Sequence, residues 1–236
     1  PPLHCSSAAS DVYKRQWGFN DVLMGDNPVK LERELNSYVM DNILYKVNFP
    51  AEFHAQTAAE AAIKLHPQIA FDDIAHINIH TQEPGIRIIS KQGPLTNYAD
   101  RDHCIEYIVA WCLLNGNLDA NSYTDEAASD SRIDSLREIT STTENTEYTN
   151  RYYNLDERAI PNKVTVTLKN GDVMEEEVIY PLGHRERREE SKPYLKQKFN
   201  NSLDNTGLDQ TFLSDAYNSL DLDKVEIYDI LKKIYK

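Results

Sequence analysis

The chain has 236 residues, of which 40% are hydrophobic and 27% charged, and its formal net charge at pH 7 is -13. This composition is typical of a globular protein, and the acidic balance argues against a nucleic-acid partner, because a phosphate-binding surface needs clustered basic residues. No apolar run approaches the ~18 residues of a membrane span and no basic-then-apolar leader is visible, so we expect a soluble cytoplasmic protein without a membrane partner.

The first sixteen residues show neither helical nor strand periodicity. They resemble translated adaptor sequence, and we expect residues 1–16 to be disordered and foreign to the fold. Residues 17–30 are predicted to form a short helical or irregular piece. Residues 38–45 then lead into the most informative segment of the chain.

That segment is a corner at residues 46–57, where Lys46, Glu52 and His54 surround the dipeptide Phe49-Pro50. Pro50 has a fixed φ and pushes the preceding residue toward an extended backbone, which predicts that a loop ends here and a helix begins at about residues 51–66. Cationic and proton-transferring groups at such a corner suit acid–base chemistry on a carboxylate. We expect His54 to transfer or hold a proton and Lys46 to bind a substrate carboxylate.

Residues 74–80 alternate between apolar and polar side chains, which predicts a strand whose covered face carries Ala75, Ile77 and Ile79. His76 and His80 lie on the other face. No Cys, Asp or Glu at ligand spacing completes a metal site, so we predict a solvated face and no metal. Residues 85–89 are apolar, and their pattern fits either a strand or a helix.

Residues 102–115 carry apolar side chains at three- and four-residue spacing, which predicts a buried helix that ends at residues 115–117, with Asp102 as its N-cap. Arg101 and His103 stand at its start, where main-chain N–H groups favour an anion. Lys91 precedes a Gly-Pro turn that we expect to bring it to Arg101. We predict that a local cationic pocket overcomes the acidic net charge, and the candidate residues are Lys46, Arg87, Lys91, Arg101 and Arg185.

Later elements are predicted from local signals. Residues 124–139 indicate one helix or two, and residues 140–150 a polar loop. Residues 163–168 and 173–180 alternate around Asn170-Gly171, which predicts a β-hairpin. The mixed charges of residues 185–190 suggest a solvated helix start, and helices are expected at residues 192–203 and 223–235. Of the three cysteines, Cys104 and Cys112 fall eight apart in the apolar helix, which indicates buried thiols rather than disulfides.

Five separated segments resemble the MmgE/PrpD family: KVNFPAEFHAQT (46–57), KQGPL (91–95), ADRDHCIEY (99–107), RIDSLRE (132–138) and YPLGHR (180–185). The likeness runs from about residue 18 to residue 203. It implies an α+β lid domain, made of helices and a small antiparallel sheet, over an all-helical domain. The implied boundaries are 17–45 (end of the helical domain and linker), 46–185 (lid) and 186–236 (helices returning to the helical domain).

The same resemblance implies the dehydratase branch, with elimination of water from 2-methylcitrate to 2-methyl-cis-aconitate in propionate catabolism. It implies a small tricarboxylate substrate, no cofactor and a homodimer. It also suggests substrate-binding roles for Arg87, Lys91, Arg101 and His103. Two alternatives remain: another chemistry of the family, such as aconitate decarboxylation or epimerisation, or an inactive lid or dimerisation piece. The family's earlier helical region, which carries other active-site residues, is not in this sequence, and we expect the 236-residue chain alone to be inactive.

Overall fold

The computed structural model describes residues 42–203, together with Glu34, Val39, Tyr228 and Lys232. Its helices are α1 Gln56–Leu65, α2 Glu83–Ile89, α3 Tyr98–Asp102, α4 Ile105–Asn115, α5 Asp125–Ala128, α6 Ser131–Glu138, α7 Thr146–Tyr153 and α8 Arg188–Leu203. Its strands are β1 Ile74–Thr81, β2 Thr140–Glu144, β3 Asn162–Leu168 and β4 Val173–Val178. The expectations for residues 1–16, 17–30 and 223–235 lie outside the described residues.

The four strands form one sheet in the order β2-β1-β3-β4. β3 pairs antiparallel with β1 and β4, whereas β2 pairs parallel with β1, with Ile77 opposite Thr140. A parallel pair requires a crossover connection, and α2 to α6 supply it. The predicted α+β class is therefore confirmed, but the sheet is mixed rather than purely antiparallel. The boundaries at residues 16, 45 and 185 stay predictions.

Helix α1 forms the centre of the core. It packs against α4 on one side and against β3 and β4 on the other. Ala58, Ala59, Ala61 and Ala62 are completely buried, because small side chains let the helix backbone approach both neighbours closely. Since α1 begins directly after the Phe53–Ala55 turn, this packing fixes the position of the corner that carries His54.

One face of β1 is apolar and covered, as the alternation predicts. Ile77 and Ile79 are fully buried, but Ala75 is exposed, because the pairing with β3 shifts register between Ile74 and His76. On the opposite face His76 lies 3.0 Å from the Ser141 hydroxyl. Within the described residues, no group of three or more His, Cys, Asp or Glu side chains is placed to hold a metal ion.

The predicted helix at residues 102–115 is observed with a later start, as α4 Ile105–Asn115. Asp102 ends α3 and does not cap α4, whose N-cap position is Cys104 without a side-chain hydrogen bond. The Asp102 carboxylate contacts the His103 ring at 2.6 Å instead. Gly116, with a φ of 67°, ends α4 within the predicted range. Cys104 and Cys112 are buried free thiols, as expected.

The polar loop predicted at residues 140–150 is wrong, because this segment forms β2 and the start of α7. Threonines fit an edge strand although they are polar, and Asn145 caps α7. The hairpin of β3 and β4 is confirmed, and residues 124–139, predicted as one helix or two, form α5 and α6. Residues 85–89 are helical in α2, and the helix predicted at 192–203 begins earlier, at Arg188.

The charged cluster at residues 185–190 is less solvated than predicted. Arg187 donates to Glu60 at 2.8 Å and to the Tyr180 carbonyl at 2.7 Å, and it also pairs with Glu190. These contacts tie the start of α8 to α1. Among the described helices, none is long and apolar enough to cross a membrane.

Gly183 offers a test of the backbone beside this cluster. Its φ is 92°, and a Cβ there would collide with the Tyr45 carbonyl oxygen. Because left-handed strain and overpacking act together, Gly183→Ala should lower the free energy of unfolding by about 2–5 kcal/mol. Gly93 is the matched control: its φ is 83°, but nothing lies within 4 Å of an added Cβ, so the cost there should be about 1–2 kcal/mol. Urea unfolding of both variants measures the difference, and equal losses would contradict the close approach.

Candidate active site

A cavity of about 490 Å³ opens beside the Phe53–Ala55 turn. Segments from five parts of the chain meet at its wall. Its lining residues are Asn42, Leu44, Glu52, Phe53, His54, Tyr152, Tyr153, Leu155, Arg158, Ile160, His184 and Arg185. The cavity is both polar and apolar, and it contains one acidic residue, two arginines and two histidines.

His54 and Glu52 form a hydrogen-bonded pair in this cavity. His54 is 8% exposed, and its Nδ1 lies 2.8 and 2.9 Å from the two Glu52 carboxylate oxygens. The same carboxylate accepts the His54 backbone N–H at 2.7 Å. Burial raises the pKa of the Glu52 carboxyl, but the hydrogen bonds and charge of His54 outweigh burial and hold that pKa below its ordinary value. An ionised Glu52 keeps the proton of a neutral His54 on Nδ1, so Nε2 is the basic atom.

The side chain of Tyr152, on α7, lies next to His54 Nε2. Its hydroxyl lies 3.3 Å from His54 Nε2, and the two rings are 5.5 Å apart. Burial, followed by the charge of Glu52, raises the pKa of Tyr152. The phenol therefore stays protonated at neutral pH and can donate a hydrogen bond. Glu52, His54 and Tyr152 thus form a line of three groups along which a proton can move.

The backbone of the His54 turn is held in place by hydrogen bonds to β3 and to the residues just before it. The Asn162 side chain donates to the His54 carbonyl at 2.7 Å and to the Thr57 hydroxyl at 2.7 Å. Thr57 in turn donates to the Ile160 carbonyl at 2.7 Å. Because all of these groups are buried, the contacts fix the backbone beneath the histidine rather than its ring alone.

Two arginines lie on the wall of the cavity. Arg158 follows α7 and has a φ of 49°, the left-handed region that non-glycine residues rarely adopt. Arg185 donates to the Asn42 side chain at 3.0 Å. Together they provide positive charge near His54 in a chain whose net charge is -13. Such a cavity wall suits a ligand that carries a carboxylate group.

The other residues predicted from the sequence lie elsewhere. Lys46 is exposed, with its Nζ 5.4 Å from the centre of the Phe53 ring, and it lines a separate groove beside α8. Arg87 is exposed and pairs with Glu83 at 3.3 Å. Its charge lowers the pKa of Tyr152, against the larger effect of burial, which raises it.

Of the residues predicted to form the cationic pocket (Lys46, Arg87, Lys91, Arg101 and Arg185), Arg185 alone lines the His54 cavity. Lys91 lines a cavity of about 300 Å³ with Arg137 and Glu106. Arg101 is buried, donates to the Tyr123 carbonyl at 2.7 Å and pairs with Asp125. His103 is exposed beside Asp102. Their substrate-binding roles stay predictions.

Sequence reasoning found His54 and Arg185 but gave no role to Glu52 and missed Tyr152, Arg158 and His184. The glutamate was within the corner motif, two residues before His54, and a carboxylate at that spacing is a recognisable partner for a histidine. Tyr152 is 98 residues from His54 in sequence, so only the fold brings the two together. The positive φ of Arg158 leaves no mark in the sequence.

The cavity of this α+β domain holds a Glu–His–Tyr line and two arginines, an arrangement suited to acid–base chemistry on an anionic ligand. The MmgE/PrpD C-terminal domain matches residues 49–213 of this sequence. The chain belongs to the MmgE/PrpD family.

Individual relatives agree with this assignment. The mitochondrial 2-methylcitrate dehydratase of Yarrowia lipolytica is 53% identical over 191 residues, which are 78% of this chain and 37% of the relative. The 2-methylcitrate dehydratase of Cupriavidus necator is 49% identical over 195 residues (80% of this chain, 40% of the relative), and that of Escherichia coli strain K12 is 46% identical over 193 residues (79% and 40%). The chain therefore spans about two fifths of the length of these relatives.

Proposed function

We propose that this chain is part of a 2-methylcitrate dehydratase that eliminates water from 2-methylcitrate to give 2-methyl-cis-aconitate. The observation that carries the proposal is the Glu52–His54–Tyr152 line in a cavity walled by arginines. This elimination needs a base for the proton on the methyl-bearing carbon, an acid for the leaving hydroxyl and cations for the carboxylates. The shared name of the relatives supports the choice of substrate.

In the proposed reaction, His54 Nε2 takes the proton from the methyl-bearing carbon next to the alcohol carbon, while Glu52 stabilises the imidazolium that forms. The electrons of the broken C–H bond form the new C=C bond. The C–O bond breaks, and the leaving hydroxyl takes the Tyr152 proton and departs as water. The imidazolium then returns its proton to the tyrosinate across the 3.3 Å contact, which restores the starting state. Because the two groups are adjacent, proton and hydroxyl would leave from the same face of the substrate.

The other chemistries of the family are less well supported. The compared relatives from three organisms are named for dehydration, and none of these names refers to decarboxylation or epimerisation. The homodimer, the absence of a nucleic-acid partner and the cytoplasmic location remain proposals from the sequence. The Yarrowia lipolytica relative is named mitochondrial, which makes a mitochondrial location an equal candidate.

A chimera tests the proposal. In it, this chain replaces the matching part of the Yarrowia lipolytica relative, and the absorbance of the unsaturated product follows turnover. We expect the chimera to dehydrate 2-methylcitrate and to keep its rate after dialysis against EDTA, since the resemblance implies no resident metal. The 236-residue chain alone should give no turnover, because a cleft that lacks part of its wall loses substrate positioning.

Each part of this proposal has its own contrary result. A folded chimera that releases carbon dioxide or an epimer instead of the unsaturated product would overturn the choice of reaction. Loss of activity on EDTA treatment that added divalent metal restores would overturn the metal-free mechanism. Turnover by the 236-residue chain alone would show that its cavity is sufficient.

A further inference from the structure

We infer that Asn162 is a positioning residue that sets the distance between His54 and Tyr152. Its buried side-chain amide ties the His54 turn to the end of the connection that follows α7, the helix that carries Tyr152. The consequence for catalysis rests on the proposed function, whereas the effect on the distance between the two rings does not.

The orientation of the Asn162 amide follows from the groups that it contacts. The Thr57 hydroxyl donates its one proton to the Ile160 carbonyl at 2.7 Å, so its oxygen can only accept from Asn162, also at 2.7 Å. The His54 carbonyl, at 2.7 Å, is an acceptor as well. Both contacts therefore require the NH2 group of the amide. Within the described part of the chain, the Asn162 Oδ1 is buried and has no hydrogen-bond partner, so the NH2 group alone makes the contacts of this side chain.

Burial separates Asn162 from the residues that a substrate can touch. Asn162 and Thr57 are both completely buried, and neither lines the His54 cavity. A substrate in that cavity therefore cannot contact either side chain. Any effect of these two residues on the reaction must act through the backbone that they hold.

The hydrogen bonds join the two segments that carry the reacting groups. His54 lies in the turn before α1, and Tyr152 lies in α7, which is followed in the chain by β3. Ile160, just before β3, lines the cavity together with His54. Because Thr57 binds the Ile160 carbonyl and Asn162 binds both Thr57 and the His54 carbonyl, the turn and the connection are held as one unit.

Proton transfer between His54 and Tyr152 depends on how well this unit is held. Their contact of 3.3 Å is already at the long end of ordinary hydrogen bonds, which are mostly about 2.7–3.2 Å. A displacement of about 1 Å can lower the rate of an enzyme by about 10²-fold. A small shift of the His54 turn is therefore enough to slow the proposed reaction.

Steady-state kinetics of the chimera tests this role. Asn162→Ala should lower kcat roughly tenfold to a hundredfold, because the turn loses its link to the connection. Thr57→Val keeps nearly the same shape but loses the hydroxyl, and it should lower kcat several-fold, whereas Thr57→Ser keeps the hydroxyl and should retain most of kcat. In an Asn162→Ala background, Thr57→Val should cause a smaller further loss, because the two residues interact. KM should change little, since no group that lines the cavity is removed.

Thr140→Val is the matched control for Thr57→Val. The Thr140 hydroxyl is also buried and also donates to a backbone carbonyl at 2.7 Å, that of Leu136, but Thr140 lies outside the His54 cavity. Its variant loses the same kind of hydrogen bond. It should lower the melting temperature by about as much as Thr57→Val and leave kcat unchanged.

NMR of the 236-residue chain measures the positioning effect without turnover. The rings of His54 and Tyr152 have their centres 5.5 Å apart, so a nuclear Overhauser effect should connect their ring protons, and His54→Ala identifies the signal by its loss. Asn162→Ala should weaken this signal, because the two rings move apart. Thr140→Val should keep it at the wild-type intensity.

Each contrary result has a distinct meaning. A folded Asn162→Ala variant with an unchanged signal and unchanged kcat overturns the positioning role. If Asn162→Ala does not fold, the Thr57 variants decide: equal kcat for Thr57→Val and Thr57→Ser overturns the role. Failure of the unmodified chimera to dehydrate 2-methylcitrate would instead overturn the proposed function, and the NMR comparison would still decide whether Asn162 positions His54.

Discussion

Replacing His54 with alanine in the chimera is expected to lower kcat by about 10²–10⁴-fold, the usual contribution of a general acid or base. The variant removes the Nε2 atom that faces Tyr152, and the two arginines that line the cavity remain. KM should therefore change much less than kcat. Steady-state kinetics with 2-methylcitrate measures both values.

The matched control for this variant is His76→Ala, which removes an exposed histidine from the open face of the sheet. It should leave kcat unchanged. Thermal unfolding of both variants separates catalysis from folding. If His54→Ala lowers the melting temperature while kcat per folded molecule stays near normal, His54 is structural and the catalytic assignment is wrong.

The second large effect is expected from Glu52→Gln. The amide still accepts a hydrogen bond from Nδ1, but it no longer stabilises an imidazolium by charge. Since a hydrogen bond to a charged group contributes roughly 1.5–3 kcal/mol, kcat should fall by about 10–150-fold. Glu126→Gln, at an exposed position in α5, removes the same charge and should have no effect on kcat.

The effect of Glu52→Gln on the free energy of unfolding should depend on pH. The pKa of Glu52 is lower in the folded chain than its ordinary value of 4.5, so its ionised form stabilises the fold above that value and this stabilisation is lost as pH falls through the folded pKa. The free energy of unfolding of wild type and Glu52→Gln should therefore differ most at neutral pH and converge in acid. A constant difference at all pH values would show that the charge of Glu52 does not stabilise the fold.

Short sequence patterns correctly predicted those helices and strands that depend mainly on contacts between residues close together in the sequence. The β3–β4 hairpin follows from alternation around Asn170-Gly171, and Gly171 adopts a φ of 93° there. β2 was missed because its residues are polar and its pairing partner, β1, is distant in sequence. Its identity as a strand comes from that long-range pairing rather than from hydrophobic pattern.

The residues of the candidate site also fall into two groups, those that a local sequence pattern predicts and those that only the fold brings together. His54 was identified because its partner and its turn are encoded within a few residues. Tyr152 and Arg158 reach the cavity only through the placement of α7, which the sequence did not reveal. Arg101 stands at a helix start, where a basic residue can bind an anion or hold a carbonyl group; it donates to the Tyr123 carbonyl, and its substrate-binding role stays a prediction. Basic residue type and spacing could not distinguish these two uses.

During synthesis, β1 leaves the ribosome well before either strand that flanks it. β1 ends at Thr81, whereas β2 begins at Thr140 and β3 at Asn162. At translation rates of about 5–20 residues per second, the roughly 60 residues that separate β1 from β2 take about 3–12 s. The helices α2 to α6 are made in that interval and can cover the apolar face of β1, but its backbone edges still lack strand partners. The nascent chain is therefore most exposed to edge-to-edge association before β2 emerges.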